Sequence, residues 1–114
     1  MASPRPALDD TFRALADPTR RAVIQALGRG PASVSELARP FEMALPSFLQ
    51  HLRTLEECGL VSTRKVGRVR TCTLNAAPLE AAETWLDEQR RLWTRRLDRL
   101  DALVLALHDQ EKPT

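Results

Sequence analysis

The chain has 114 residues, 43% hydrophobic and 28% charged, a length and balance that suit one globular domain and argue against disorder. No apolar run nears the roughly 20 residues of a membrane span, no apolar stretch follows Met1-Ala2-Ser3-Pro4-Arg5-Pro6 to make a signal peptide, and two cysteines are too few for a disulfide framework, so a cytoplasmic protein is expected. The net charge of +2 conceals a segregation: nine basic and only four acidic side chains fall between Thr19 and Leu74, while acidic residues outnumber basic ones on both sides.

A short tail, residues 1–6, precedes a domain expected over residues 7–108. The first predicted helix runs from Ala7 to Ala16, with Leu8, Phe12 and Leu15 at helical spacing. Asp17-Pro18 ends it, because the residue before a proline is driven out of the helical region. The same pair opens a second helix, Pro18 to Leu27, with Asp17 as N-cap and Ala22, Val23, Ala26 and Leu27 as its apolar stripe. Gly28 and Gly30-Pro31 stop it. A third, short helix begins at Ser33 or Ser35 and ends near Arg39. Ser33 has Glu36 three residues on, the spacing of a capping box.

After Pro40 and a turn, a fourth helix is expected from Leu45 to Cys58, with Pro46 in its first turn and Gly59 as its stop. Leu45, Phe48, Leu49, Leu52 and Leu55 form one apolar face. The runs Leu60 to Lys65 and Val69 to Leu74 read as strands of a hairpin turning at Val66-Gly67. That turn pairs Cys72 with Val61 and leaves Cys58 three residues further back, roughly 10 Å away along an extended strand, beyond the roughly 7 Å Cα limit for a disulfide. A last helix, Pro78 to about His108, contains neither proline nor glycine beyond its first residue. Its Leu86, Trp93, Leu97, Leu100, Val104 and Leu107 make a heptad-like seam that Trp85, Leu92 and Leu103 widen. Residues 109–114 read as a polar tail.

The class that follows is mainly α with a β-hairpin wing (α+β), a winged helix-turn-helix. The fourth helix buries its Leu/Phe stripe and so turns Ser47, Gln50, His51 and Thr54 outward, with Arg53 beside them. The major groove of DNA is about 12 Å wide and admits one helix. Glutamine pairs bidentately with adenine, and Ser, Thr and His bond bases or phosphates. The hairpin Arg64-Lys65-Val66-Gly67-Arg68-Val69-Arg70 carries four cations in seven residues, suited to phosphate or to a minor groove. Arg20 and Arg21 are expected to add positioning contacts. Taken singly, a polar helix face or a basic hairpin is ordinary solvated surface; adjacent in one topology, they point to double-stranded DNA.

The motifs Leu15-Ala16-Asp17-Pro18-Thr19-Arg20-Arg21, Ser33-Val34-Ser35-Glu36-Leu37-Ala38, Leu45-Pro46-Ser47-Phe48-Leu49-Gln50-His51-Leu52, Leu55-Glu56-Glu57-Cys58-Gly59-Leu60-Val61 and Gly67-Arg68-Val69-Arg70 occur in one order. In them the chain resembles the ArsR/SmtB family of winged-helix repressors, from about Leu8 to Leu107. The resemblance implies a cytoplasmic homodimer that binds a pseudo-palindromic operator and blocks transcription. It also implies an interface of the first and last helices, through Leu8, Phe12, Leu86, Trp93, Leu97, Leu100, Val104 and Leu107. Two departures bear on base reading: Ala44 and Leu49 stand where the family often has serine.

The family's Cys-x-Cys inducer site is replaced by Ser33 and Ser35, poor ligands for soft metals. Its second site, on the last helices, finds only His108 and Glu111 at the right spacing, with Asp98 and Asp101 the nearest other carboxylates. No metal and no cofactor are therefore expected, and any effector is unidentified. Cys58 and Cys72 read as small buried apolar residues. Gly-rich phosphate loops, His-Glu-x-x-His and Gly-x-Ser-x-Gly are all missing, so no catalytic residue is assigned and no enzyme is expected. Two rival readings stay open: a metal- or thiol-gated sensor repressor, and a winged-helix protein-interaction module that binds no DNA.

Overall fold

The computed structural model describes residues 6–111. The elements follow in the order α1 (Pro6–Leu15), α2 (Pro18–Leu27), β1 (Ala32–Ser33), α3 (Val34–Ala38), α4 (Leu45–Glu57), β2 (Val61–Val66), β3 (Val69–Leu74) and α5 (Ala77–Glu111). The chain divides into two compact units, one ending at Ala82 and the other beginning at Glu83.

In the first unit the helix ends are written in local chemistry. Asp17 caps α2, its carboxylate accepting the Arg20 N–H at 3.1 Å, with Pro18 in the first turn. Ser33, rather than Ser35, caps α3 in a complete capping box: its Oγ accepts the Glu36 N–H at 3.1 Å, and Glu36 Oε1 accepts the Ser33 N–H at 3.4 Å. At the end of α4 the Gly59 N–H reaches Glu56 O and the Leu60 N–H reaches Leu55 O, both at 3.0 Å. This pair of bonds defines a Schellman cap. Gly59 sits at φ +78°, where a Cβ would clash with backbone. The cap also brings Leu55 and Leu60 together, and both are fully buried.

The core gathers around the inner face of α4. Phe48, Leu52 and Leu55 pack with Val23 and Leu27 of α2, Leu37 of α3, and Leu60, Val61 and Cys72 from the sheet side. Phe41 stacks on Phe48 with ring centroids 5.6 Å apart. Leu45, assigned above to the apolar stripe, is 54% exposed in the first turn of α4. In α1 the fully buried positions are Thr11 and Ala14, while Leu8, Phe12 and Leu15 are half-buried. The Thr11 hydroxyl is satisfied by Ala7 O at 2.9 Å.

The sheet corrects the hairpin reading in two respects. The turn lies one residue later, at Gly67-Arg68, with Val66 opposite Val69 and Cys72 opposite Thr63 instead of Val61. Gly67 takes φ +63° and no described non-glycine residue has positive φ, the requirement of a type II′ turn with glycine first. β-branched Val66 resists that conformation. The shift moves every partner by two residues, so both side-chain faces are preserved. The second correction is the strand β1, which pairs Ala32 with Cys72 and Ser33 with Thr71 and makes β3 central in the order β1-β3-β2. Cys58 and Cys72 are free thiols, Cys72 buried and Cys58 half-buried, its Sγ 3.4 Å from Leu55 O.

The helix α5 begins at Ala77 and continues to Glu111, so residues 109–111 assigned above to a tail are helical; residues 1–5 and 112–114 lie outside the described residues. At 1.5 Å per residue it is about 52 Å long. From Glu83 onward its seam is half or more exposed among the described residues: Leu86 is 52% exposed, Trp93 68%, Leu97 60%, Leu100 56%, Val104 61% and Leu107 50%. No described helix is long and apolar enough to cross a membrane.

Candidate nucleic-acid interface

Burying Phe48, Leu52 and Leu55 settles what α4 shows on its other side. Ser47, Gln50 and Arg53 are exposed. Ala44 provides no side-chain cap; instead its carbonyl accepts from Ser47 N at 3.0 Å and Phe48 N at 3.2 Å. The Ser47 hydroxyl is thus left out of the helix's own bonding. Thr54 and His51, read above as outward, are half-buried. Thr54 donates its hydroxyl to Gln50 O at 3.1 Å, which helps fix the ridge and leaves its lone pairs for an outside donor.

The basic residues near this ridge fall into two groups. The first is turned back onto the end of α1. Arg20 Nε donates to Ala14 O at 2.8 Å and its Nη2 to Arg13 O at 3.0 Å, while Arg21 Nη1 donates to Leu15 O at 2.8 Å. Both arginines thus engage the last carbonyls of α1, of which Arg13 O also accepts the Ala16 N–H at 3.3 Å. The second group is the wing. Arg64, Lys65 and Arg68 are exposed and make no ion pair among the described residues. Lys65 lies directly opposite Arg70, a like-charge pair that costs stability unless an anion lies near. Arg70 folds back: Nη2 donates to Thr63 Oγ1 at 3.3 Å and lies 3.7 Å from Glu56 Oε1 on α4. With Arg53 and Leu49 it lines a shallow groove between α4 and the wing. The wing root is therefore tied beside the ridge, and its tip is free.

Two contacts were not legible in the spacing. Glu56 meets Arg70, and His51 Nδ1 lies 3.2 Å from Arg20 Nη1 and 3.7 Å from Asp17 Oδ2. The sequence marked Asp17 only as a cap and His51 only as an outward DNA contact, because positions 31 and more apart meet through tertiary packing alone. Partial burial raises the Asp17 carboxyl, but the Arg20 N–H, the neighbouring His51 imidazole and the Arg20 charge outweigh it and hold the group below its ordinary value. Burial, seconded by the Glu56 charge, pushes the Cys72 thiol up, which disfavours the reactive thiolate.

A metal site of the kind the resemblance suggests does not fit these residues. The Ser33 hydroxyl is engaged with Glu36, donating to Oε1 at 3.0 Å, and is a poor ligand for a soft metal. His108 stands exposed on α5, and among the described residues no three His, Cys, Asp or Glu side chains cluster around a common point.

Comparison with known proteins follows this geometry. A helix-turn-helix domain family matches residues 15–64, from the end of α1 into β2. The HTH-type transcriptional regulator Rv2034 of Mycobacterium tuberculosis is 43% identical over 89 residues, 78% of this chain and 80% of that protein. The transcriptional repressor SdpR of Bacillus subtilis is 28% identical over 79 residues, 69% of this chain and 88% of its own. Among solved structures, that of an ArsR family transcriptional regulator superposes with a TM-score of 0.77 at 56% identity, over 82% of this chain and 97% of that one.

Proposed function

The chain belongs to the ArsR family of winged helix-turn-helix transcriptional regulators, and from that premise we propose that it acts as a homodimeric repressor on a pseudo-palindromic operator. One observation carries the reading: the exposed side of α4 is bordered by a wing whose Arg64, Lys65 and Arg68 have no counter-charge among the described residues. A helix ridge with free hydrogen-bonding groups is what a major groove receives, and uncompensated cations are what phosphates attract.

The roles divide accordingly. Ser47 and Gln50 read base edges, Gln50 by bidentate pairing with adenine. Arg53 and the wing cations contact phosphate or an adjacent minor groove. Arg21 and Thr54 act by holding the ridge in place. Leu8 and Phe12 of α1, and Leu86, Trp93, Leu97, Leu100, Val104 and Leu107 of α5, are the surface for a second copy. Apolar side chains half or more exposed along about six turns of helix make a surface that water covers poorly. The setting is the cytoplasm, where an operator is within reach.

A selection from randomised duplexes tests this directly. The full chain is expected to enrich one motif with two-fold symmetry, and binding is expected to weaken steeply with salt. Enrichment of no motif, with weak binding indifferent to sequence, contradicts the reading.

A further inference from the structure

Among the described residues, the one side chain on the outer part of α4 with a hydrogen bond to another helix is His51. Its imidazole, 24% exposed, rests against the corner where α1 gives way to α2. Arg20 is the anchor there, with two of its nitrogens on Ala14 O and Arg13 O and the third, Nη1, 3.2 Å from His51 Nδ1. A guanidinium has only donors, so the Nδ1 it meets accepts, and the ring carries its proton on Nε2. Asp17 does not compete for that nitrogen: its Oδ2 stands 3.7 Å away, beyond hydrogen-bond reach, and already accepts the Arg20 N–H at 3.1 Å. Among the described residues Nε2 has no partner.

We propose that Arg20 is a positioning residue for base reading. Fixed on the last carbonyls of α1, it orients His51 so that Nε2–H is offered from the recognition helix as a donor. The matching group on DNA is a base-edge acceptor, such as guanine N7 or O6 or thymine O4. The inference rests on the DNA-binding reading above and refines it: Arg20 serves discrimination between sequences, not attraction to phosphate. The two roles differ measurably. A phosphate contact strengthens binding to every duplex and contributes about one to the salt slope. A guanidinium that only aims another side chain leaves that slope alone.

The test uses the full chain, a duplex it has enriched from a randomised pool, and a duplex of random sequence. His51→Ala and Arg20→Gln are each expected to weaken binding to the enriched duplex roughly 5- to 150-fold, the range for losing one good base contact, with little change on random DNA and no change in salt slope. The double variant is expected to bind no more weakly than His51→Ala alone. Imidazole nitrogen NMR of the wild-type chain in mildly alkaline solution is expected to show His51 protonated on Nε2, with Nδ1 accepting. Should Arg20→Gln fail to fold, that spectrum decides by itself. A proton on Nδ1 overturns the proposal. So do additive losses in the double variant, or equal losses on both duplexes with a slope flattened by about one. If the wild-type chain enriches no duplex, the DNA-binding reading fails, and the spectrum still judges the Arg20–His51 arrangement.

Discussion

Gln50 and Arg68 stand about as differently as two polar residues in one interface can. Gln50 lies on a helix whose opposite face is locked in the core, and Arg68 lies in the two-residue turn of a ribbon. A rigid support suits base reading, since hydrogen-bond geometry is lost within a few tenths of an ångström. A solvent-exposed tip suits phosphate, where a charge suffices. Gln50→Ala is therefore expected to lower affinity for the enriched duplex by about 1–3 kcal/mol and to leave binding to random DNA unchanged. Arg68→Ala is expected to weaken binding to both and to reduce the salt slope by about one. Filter binding over a salt series separates the two. Asp17 makes a different kind of prediction. Its carboxyl titrates lower in the folded chain than in the unfolded one, so its contribution is complete above the unfolded value and is lost as pH falls through the folded one. Asp17→Asn keeps a capping oxygen and loses the charge, and melting curves are expected to show a smaller fall in stability on acidification than in wild type.

At the scale of elements, α4 is the hinge of the account because it makes core and ridge at once. Leu52, 1% exposed, is expected to cost about 2–5 kcal/mol when cut to alanine, as measured by chemical denaturation. Gly59→Ala places a Cβ at φ +78° and is expected to cost about 1–2 kcal/mol, although the nearest side-chain atom, Pro78 Cγ, would lie an unstrained 3.9 Å from the new Cβ. The cost is thus conformational, not steric crowding from neighbours. These devices were readable in the sequence because each is local: Asp17 before Pro18, Ser33 three residues before Glu36, Gly59 after an apolar stripe. The wing turn was misplaced by one residue because Val66-Gly67 and Gly67-Arg68 both contain the needed glycine, and only the rule that glycine must come first separates them. The two-residue strand β1 left no periodicity to read, since two residues cannot alternate. Ser47, Gln50 and Arg53 emerged on the exposed side as expected, whereas His51, Arg20 and Arg21 proved to have intramolecular partners that no local pattern encodes.

For the whole molecule, the decisive imbalance is between the unit ending at Ala82, which has a buried core of its own, and the long helix beyond it, whose apolar residues stay in water. Apolar surface returns roughly 25 cal/mol per Å² when removed from water, so a second copy of α5 is the occupant that the proposed homodimer supplies. Leu97→Glu combined with Leu100→Glu is expected to convert the dimer to monomer in sedimentation equilibrium and to abolish tight operator binding, since one ridge alone reads half a site.

Hydroxyl-radical footprinting on an enriched duplex brings these scales together. The account predicts two protected segments related by two-fold symmetry, their centres about one helical turn, roughly 34 Å, apart, and both lost in the Leu97→Glu/Leu100→Glu chain. A single unsymmetrical footprint, or the same pair of segments protected by a chain that sediments as a monomer, would contradict it.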